Sequence, residues 1–260
     1  MSYPMTLAFG AIAKRELWRF VSQRSRFFGA LVRPLIWLLV FAAGFRAALG
    51  IAIIPPYQTY ITYDVYIAPG LVGMVQLFNG MQSSLAMVYD REMGSMRVLL
   101  AAPHRLAFLL IARLTAAMLV SLLQCYAFLL IAQGFGVDLP WPGFLTVLPA
   151  LVVSGLMLGA FGMLVSSVVK QLENFAGVMN FVVFPLFFMS SALYPLWKIQ
   201  ESSEWLYRLC AANPFSDAVE MIRFALYGEF PFEPWRNSVI AMLLCVALAV
   251  WGYRPRQRAG

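Results

Sequence analysis

Six long apolar runs, separated by short polar stretches, constrain the fold of this chain more than any other sequence feature. Most exceed the ~20 residues that a helix needs to cross ~30 Å of hydrocarbon. Because backbone polar groups must be paired inside a bilayer, each run is expected to be helical. The pattern predicts an all-α membrane protein with six transmembrane helices. They cover about 27–46, 69–88, 107–135, 144–169, 174–196 and 237–253.

The composition excludes a soluble fold. Of the 260 residues, 62% are hydrophobic and only 12% are charged, against about 25% charged in globular proteins. A soluble protein of this length could not cover its surface with so few charges, so lipid must be the solvent for most of it. The three cysteines are an odd number without CxxC spacing, which indicates neither a disulfide framework nor a zinc site.

The termini are basic. Residues 1–26 alternate apolar side chains with Lys and Arg, and the tail at 254–260 holds three arginines. The first segment fits two interpretations. It is either an amphipathic helix lying in the headgroup layer, where cations meet anionic lipid, or a plain positively charged flank of the first span. In either case we expect it to be cytoplasmic.

The distribution of charge predicts the orientation of the spans. With six spans both termini lie on one side, and that side holds fourteen of the nineteen Lys and Arg residues, while eight of the twelve acidic residues lie on the other. This is the positive-inside pattern. It predicts cytoplasmic termini in a cell inner (plasma) membrane. It also accounts for the net charge of +7 without nucleic-acid binding.

Groups that could perform chemistry are sparse. The only histidine, His104, cannot form a metal cluster alone, and no glycine-rich loop precedes Lys-Ser or Lys-Thr, so no Walker-type phosphate cradle is present. We expect no catalytic residue, no metal and no cofactor bound by this chain. Arg33 is expected near the cytoplasmic end of the first span, so no charge is expected near a midplane. Ion-coupled carriers usually need one.

Polar residues inside the spans fit two interpretations. Gln76, Asn79 and Ser83 share one face of the second span, and Asn180 lies in the fifth. They could line a pathway for amphipathic cargo, or they could form hydrogen bonds between helices, worth roughly 0.6 kcal/mol each in membranes. Separately, Gly155, Gly159 and Gly162 lie on one side of the fourth span, which favours close helix packing.

The polar stretch from Tyr89 to Leu106 is the most organised part of the chain outside the spans. Asp90 and Glu92 precede a predicted short helix, where negative charge complements the N-terminal dipole. An apolar stripe follows, and Pro103 ends it. A short helix with an apolar stripe and no core partner either lies on the membrane or docks into a groove of another protein. The stripe consists of Met93, Met96, Leu99 and Leu100.

At these residues the chain resembles the membrane subunits of ABC-2 type transporters. In that family a Glu-x-Gly-Ser/Thr element, then Leu-Leu and Pro, links the second and third spans. Two other family features recur: Pro69-Gly70 at the start of the second span, and Asn213-Pro214-Phe215 before an amphipathic run in the last outer loop. Many members have Gly-Lys at the start of the third span, where this chain has Ala112-Arg113. The linking element here is Glu92, Gly94, Ser95, Leu99, Leu100 and Pro103.

The resemblance implies a transport permease powered by a separate subunit that binds ATP and Mg. Residues 90–103 would be its coupling helix, and two permease copies, identical or different, would pair. Re-entrant or amphipathic helices within 198–236 would cap the outer mouth. The docking contacts implied are Asp90, Arg91, Glu92, Gly94, Ser95, Arg97, Leu99, Leu100 and Pro103.

The resemblance also implies export. Residues 89–100 are most similar to drug and lipo-oligosaccharide exporters, and are similar to permeases found beside quinoprotein alcohol oxidation systems. The cargo would be a drug, glycolipid or lipid-like amphiphile leaving the cytoplasm or inner leaflet. The alternative is a membrane assembly or regulatory subunit that docks the same ATPase without transport.

Overall fold

The computed structural model describes residues 9–15, 18, 24–45, 55–57, 61–94, 105–169 and 171–253. The regular structure of these residues is helical, as predicted. The helices are α1 (Arg24–Phe45), α2 (Tyr63–Glu92), α3 (Leu106–Gly134), α4 (Gly143–Thr146), α5 (Leu148–Val168), α6 (Leu172–Phe188), α7 (Leu196–Ser202), α8 (Glu204–Ala211), α9 (Pro214–Leu226) and α10 (Phe232–Tyr253). Residues 9–15 are also helical. Residues 1–8, 16–17 and 19–23 of the N-terminal segment lie outside the described residues, as does the tail at 254–260.

Three helical stretches in the described part of the chain are long and apolar enough to cross a membrane: α3, the α4–α5 stretch (Gly143–Val168), and α10. They correspond to the predicted third, fourth and last spans. Shorter apolar helices cover Leu31–Val40 within α1 and Leu172–Phe188, which is α6. The count of six crossings stays a prediction.

Helix α2 is the centre of the bundle. It packs against α1, α3, α5, α6 and α9, and every residue from Tyr63 to Phe78 is buried. Amide and hydroxyl side chains make α2 less apolar than α3 or α5. The helix can carry these polar groups because it faces protein on several sides, where they find hydrogen-bond partners.

Glycines set the contact between α2 and α5. A Cβ atom added at Gly80 would lie 2.7 Å from the carbonyl oxygen of Leu158, and one added at Gly162 would lie 2.7 Å from the carbonyl oxygen of Gly80. Neither distance can accommodate a side chain. The backbones of the two helices therefore touch here, as the small residues of the fourth span predicted.

Several helix bounds differ from the predicted runs. Helix α2 begins at Tyr63, so Pro69 and Gly70 lie near its second turn rather than at its start. Pro69 has no N–H to donate to the carbonyl four residues earlier. The turns around it are anchored instead by two hydroxyls: Tyr63 donates to the carbonyl of Leu193 (2.6 Å) and Tyr66 to that of Ser191 (3.0 Å).

Helix α6 is shorter and α10 longer than predicted. The fifth run was expected to reach residue 196, but α6 ends at Phe188 and residues 189–195 form turns. This segment turns back over α2. The two backbones come so close that a Cβ atom added at Gly70 would lie 2.6 Å from the carbonyl oxygen of Ala192. Helix α10 begins at Phe232, five residues before the predicted start.

Candidate functional site

The predicted docking segment begins as the last turn of α2. Asp90, Arg91 and Glu92 are helical, and Met93 caps the helix through its N–H to the carbonyl of Tyr89 (2.9 Å). Gly94 follows with a φ of 74°, the left-handed conformation that glycine adopts most easily after a helix. The Glu-x-Gly element thus ends α2. The other predicted docking residues lie outside the described residues: Ser95, Arg97, Leu99, Leu100 and Pro103. The predicted short helix over this segment therefore stays a prediction.

Two side chains of this turn are engaged within the chain. The guanidinium of Arg113 on α3 donates to the Asp90 carboxylate at 2.6 Å, and Arg113 is only 5% exposed. Arg91 donates to the carbonyl of Val169, between α5 and α6. Asp90 and Arg91 therefore tie the end of α2 to α3 and to the α5–α6 connection. We refer to Asp90, Arg91, Arg113 and Val169 as the Asp90 cluster.

Two other side chains of this turn project outwards. Glu92 is exposed and the Met93 side chain is 61% exposed. A carboxylate beside a flexible apolar side chain can contact a partner protein by charge and by burial. Of the docking residues that the structure describes, Glu92 is thus the side chain free to reach another protein.

The predicted polar residues of the spans do not gather into one site. Gln76 is buried; its Nε2 donates to the carbonyl of Leu151 (2.8 Å) and its Oε1 accepts from the Ser154 hydroxyl (2.6 Å). Asn79 donates to Gln124 on α3 (2.8 Å). Ser83 is half-buried and Asn180 is exposed on α6. Gln76 and Asn79 thus form the hydrogen bonds between helices that one of the two interpretations predicted.

The Asn213-Pro214-Phe215 motif joins two helices. The Asn213 side-chain oxygen accepts from the N–H of Phe215 (3.0 Å) and caps the start of α9. Its Nδ2 donates to the carbonyls of Leu186 (2.8 Å) and Met189 (2.7 Å) at the end of α6. Pro214 occupies the first position of α9, where no N–H is needed. Phe215 is buried against Phe187, with ring centroids 6.1 Å apart.

A buried arginine in α9 was not predicted as a site residue. Arg223 is 2% exposed, donates to the carbonyl of Ser191 (2.8 Å), pairs with Glu220, and lies 4.1 Å from the ring centroid of Tyr66. Burial lowers the pKa of Arg223, but Glu220, Tyr66 and Tyr57 together raise it by more, so the pKa rises. The sequence offers one signal, an arginine among apolar residues of an amphipathic helix. We refer to Tyr66, Ser191, Asn213, Glu220 and Arg223 as the Arg223 cluster.

Arg33 contacts the central helix. The sequence places it near the cytoplasmic end of the first span, with its stem reaching the interface, and this depth stays a prediction, as does the absence of a charge near a midplane. In the structure its guanidinium lies 4.1 Å from the ring centroid of Phe78, the sixteenth residue of the 30-residue α2.

These features define an integral membrane protein built of helices, with side chains that join helices and a polar turn that ends the central one. No group of three or more His, Cys, Asp or Glu side chains suited to a metal occurs in the described ranges. Residues 7–227 match the family model of the ABC-2 type transporter. The chain belongs to this family, which confirms the resemblance found at the Glu-x-Gly element.

Curated relatives agree with this assignment. The chain is 27% identical over 205 residues to a putative transport permease, ycf38, of Cyanophora paradoxa, a match that covers 76% of this chain and 67% of the relative. It is 28% identical over 195 residues to the probable multidrug ABC transporter permease YbhR of Escherichia coli, covering 74% of this chain and 51% of the relative. Nodulation protein J of Rhizobium leguminosarum is 22% identical over 203 residues, covering 77% of this chain and 74% of the relative. The chain is therefore a membrane permease of ABC-2 type.

Proposed function

We propose that this chain is the permease subunit of an ATP-driven exporter. It moves an amphipathic, lipid-like molecule, a glycolipid or a drug out of the cytoplasm or inner leaflet, and a separate ATP-binding subunit supplies the energy. The match to the ABC-2 family over residues 7–227 is the observation that supports this most strongly. The name of YbhR, a probable multidrug permease, is consistent with amphipathic cargo.

Residues 90–103 are the proposed contact with the ATP-binding subunit. The geometry of their first residues supports this role, since Glu92 and Met93 project while Asp90 and Arg91 bind to α3 and to the α5–α6 connection. A displacement of this segment would therefore be passed directly into the bundle. ATP binding would close the ATPase subunits, move the segment, and shift the permease between inward-open and outward-open states.

The proposed transporter contains two permease copies in the cell inner membrane, with cytoplasmic termini. The excess of cations on the predicted inner side supports this orientation. Apolar faces are available for lipid or for a second copy, because Ile36 and Val40 on α1 and Leu243 and Leu244 on α10 are each more than half exposed.

A pull-down tests the proposal. The wild-type permease and a Glu92→Arg, Leu100→Arg double variant are solubilised gently from their native membranes, and co-purifying ATPase activity and nucleotide-binding chains are measured. Wild type should bring down an ATPase, and the double variant should lose most of it, because a carboxylate and an apolar contact both become cations. A Glu229→Arg variant is the matched control, since Glu229 is an exposed carboxylate on the proposed outer side.

Two results would contradict the proposal. An ATPase absent from wild-type preparations would remove the energy source. Equal recovery of the ATPase by wild type and double variant, at equal expression, would remove residues 90–103 as the contact.

A further inference from the structure

Arg33 has no carboxylate partner among the described residues. Its side chain is exposed on α1, its guanidinium lies against the Phe78 ring at 4.1 Å, and no carboxylate of the described residues pairs with it. A guanidinium keeps five donors and a permanent charge. One ring face satisfies none of those donors, so the group retains its full capacity to bind an anion.

Distances along two helices, both measured from the level of Arg91, give the depth of this cation. Arg91 donates to the carbonyl of Val169, which sets a common level for the end of α2 and the start of α6. Phe78 lies thirteen residues from Arg91 along α2, or about 20 Å at 1.5 Å per residue. Phe184, whose ring centroid is 6.4 Å from that of Phe78, lies twelve residues into α6, or about 18 Å.

The distances along α2 and α6, about 20 Å and about 18 Å, place the guanidinium near the middle of a hydrocarbon layer ~30 Å thick. Charged side chains at that depth are rare and are most often found at substrate or ion pathways.

Aromatic rings form one wall beside this cation. The Phe78 ring lies edge-on to Phe184, Phe184 stacks on Phe188 with centroids 6.1 Å apart, and Phe188 contacts Trp37 at 6.0 Å. Trp37 is one helical turn beyond Arg33 on α1. Asn180, one turn before Phe184 on α6, is exposed and adds a polar amide. A single cation beside a continuous aromatic surface suits an anion attached to an apolar body.

We infer that Arg33, with the wall of Phe78, Phe184 and Phe188, binds the acidic group of an anionic amphiphile during its export. This inference rests on the proposed export function and narrows its cargo to molecules with a carboxylate, phosphate or sulfate on an apolar body. Bulk phospholipid supplies the same chemistry, but its headgroups lie at the membrane surface, roughly 15 Å from the middle of the hydrocarbon layer. An anion that reaches Arg33 has therefore left the headgroup layer, as cargo must.

A pair of matched probes tests this binding. Dodecyl phosphate is anionic and dodecyl maltoside is neutral, and both have the same chain. Saturable binding of each is measured with the full chain in phosphatidylcholine nanodiscs, against empty nanodiscs. Arg33→Gln should weaken dodecyl phosphate binding at least tenfold and leave dodecyl maltoside binding unchanged. Arg33→Lys should retain part of the affinity, because it keeps the charge without the planar fork.

Arg236→Gln is the control. Arg236 on α10 also lies over a ring, 5.7 Å from the centroid of Phe232, and is exposed, but it is near the start of its helix. Its loss should not affect either probe. Unchanged dodecyl phosphate binding in Arg33→Gln, or an equal loss in Arg236→Gln, would overturn the site, since the binding would then reflect general surface charge.

A second measurement separates cargo from resident lipid. In the complex with its ATPase subunit, dodecyl phosphate should stimulate ATP hydrolysis, and Arg33→Gln should abolish the stimulation. Saturable binding without stimulation would overturn the cargo assignment and leave a site for a structural lipid. If no ATPase co-purifies, the proposed function fails, while the nanodisc measurement still decides whether Arg33 binds an anion.

Discussion

The Arg223 cluster and the Asp90 cluster join the same central helix, α2, to its neighbours in opposite ways. At the Arg223 cluster, near the start of α2, Arg223, Ser191 and Tyr66 are all at most 2% exposed. Carbonyls of the 189–195 turns accept bonds from Tyr63, Tyr66, Asn213 and Arg223. At the Asp90 cluster, near the end of α2, Asp90 contacts Arg113 and Arg91 contacts Val169.

The difference indicates where the bundle can move. Local stability follows buried contacts and hydrogen bonds, and the elements that move are drawn from the less stable regions. The Arg223 cluster closes a buried network over one end of α2, α6 and α9. Within the described residues, the Asp90 cluster joins its neighbours through one ion pair and one hydrogen bond to a backbone carbonyl, directly beside the exposed Glu92. We expect the first to hold the helices in place and the second to pass on motion from a partner.

The largest effect is expected from Arg223→Met. This change leaves Glu220 without its cation and removes the bond to the Ser191 carbonyl and the contact with Tyr66. Breaking a buried ion pair by removing one partner costs about 3 kcal/mol or more. The variant should show a clearly lower unfolding temperature in detergent, measured by the loss of monodisperse protein on heating.

Arg208→Met is the control for that measurement. Arg208 pairs with Glu204 at 3.1 Å, but the two side chains are 75% and 54% exposed, and such pairs contribute about 0–1 kcal/mol. If both variants lost the same stability, the Arg223 cluster would not be the fixed region that its burial suggests.

A smaller effect on stability, with a larger effect on coupling, is expected from Asp90→Asn. The Asp90 side chain is 17% exposed and that of Arg113 is 6% exposed. Because the Asn amide oxygen can still accept from the Arg113 guanidinium, the loss should be about 1–2 kcal/mol, less than for Arg223→Met. If the pair transmits motion, the variant should hydrolyse ATP at a near-normal rate and export less per ATP. The measurement is the ratio of transport to hydrolysis in proteoliposomes containing both subunits.

Glu173→Gln is the matched control, because Glu173 is an exposed carboxylate in the first turn of α6. It should leave the ratio unchanged. An Asp90→Asn variant with a normal ratio would show that the Asp90 cluster only supports the structure. An equal change in Glu173→Gln would show that any carboxylate at this end affects coupling.

The sequence predicted the helices better than the contacts, for a physical reason. Apolar runs and the glycines of α5 are local patterns, and the helical bounds of α3 and of the α4–α5 stretch match the predicted runs to within about one residue. Asn before Pro also signals the start of a helix. The same Asn213 bonds to carbonyls at the end of α6, 24 and 27 residues away. No local pattern encodes that distance.

The site residues show the same limit. The Glu-x-Gly element was found because it is contiguous, but the partner of Asp90 is 23 residues away. The contact of Arg33 with Phe78 was not predicted, because it depends on the register of α1 on α2. Arg223 looked like one more cation of an amphipathic helix until the packing of Tyr66 against it was known. Each of these depends on tertiary contacts rather than on spacing along the chain.

The smallest effect is expected from Asp217→Asn, at the edge of the Arg223 cluster. Asp217 accepts a hydrogen bond from Asn237 on α10 (3.3 Å), and burial raises the pKa of its carboxyl above the ordinary value, although Asn237 and Arg236 oppose this. With the pKa raised in the folded state, that state binds the proton more tightly. Stability from this group is therefore greatest at low pH and falls as pH rises through the folded-state pKa.

The Asp217→Asn variant should reverse that loss. The new side-chain amide would still accept the bond from Asn237 and would carry no charge, so the variant should be slightly more stable than wild type at pH 7, by about 0.5 kcal/mol or less since the site is partly exposed. The gain should disappear as pH falls below the ordinary pKa of Asp, about 3.9. Unfolding temperatures from acidic to neutral pH measure it, with Glu229→Gln as an exposed control. A variant less stable than wild type at pH 7 would contradict this prediction. It would mean that the charged Asp217 carboxylate stabilises the α9–α10 contact, and that its hydrogen bond with Asn237 contributes more than its burial costs.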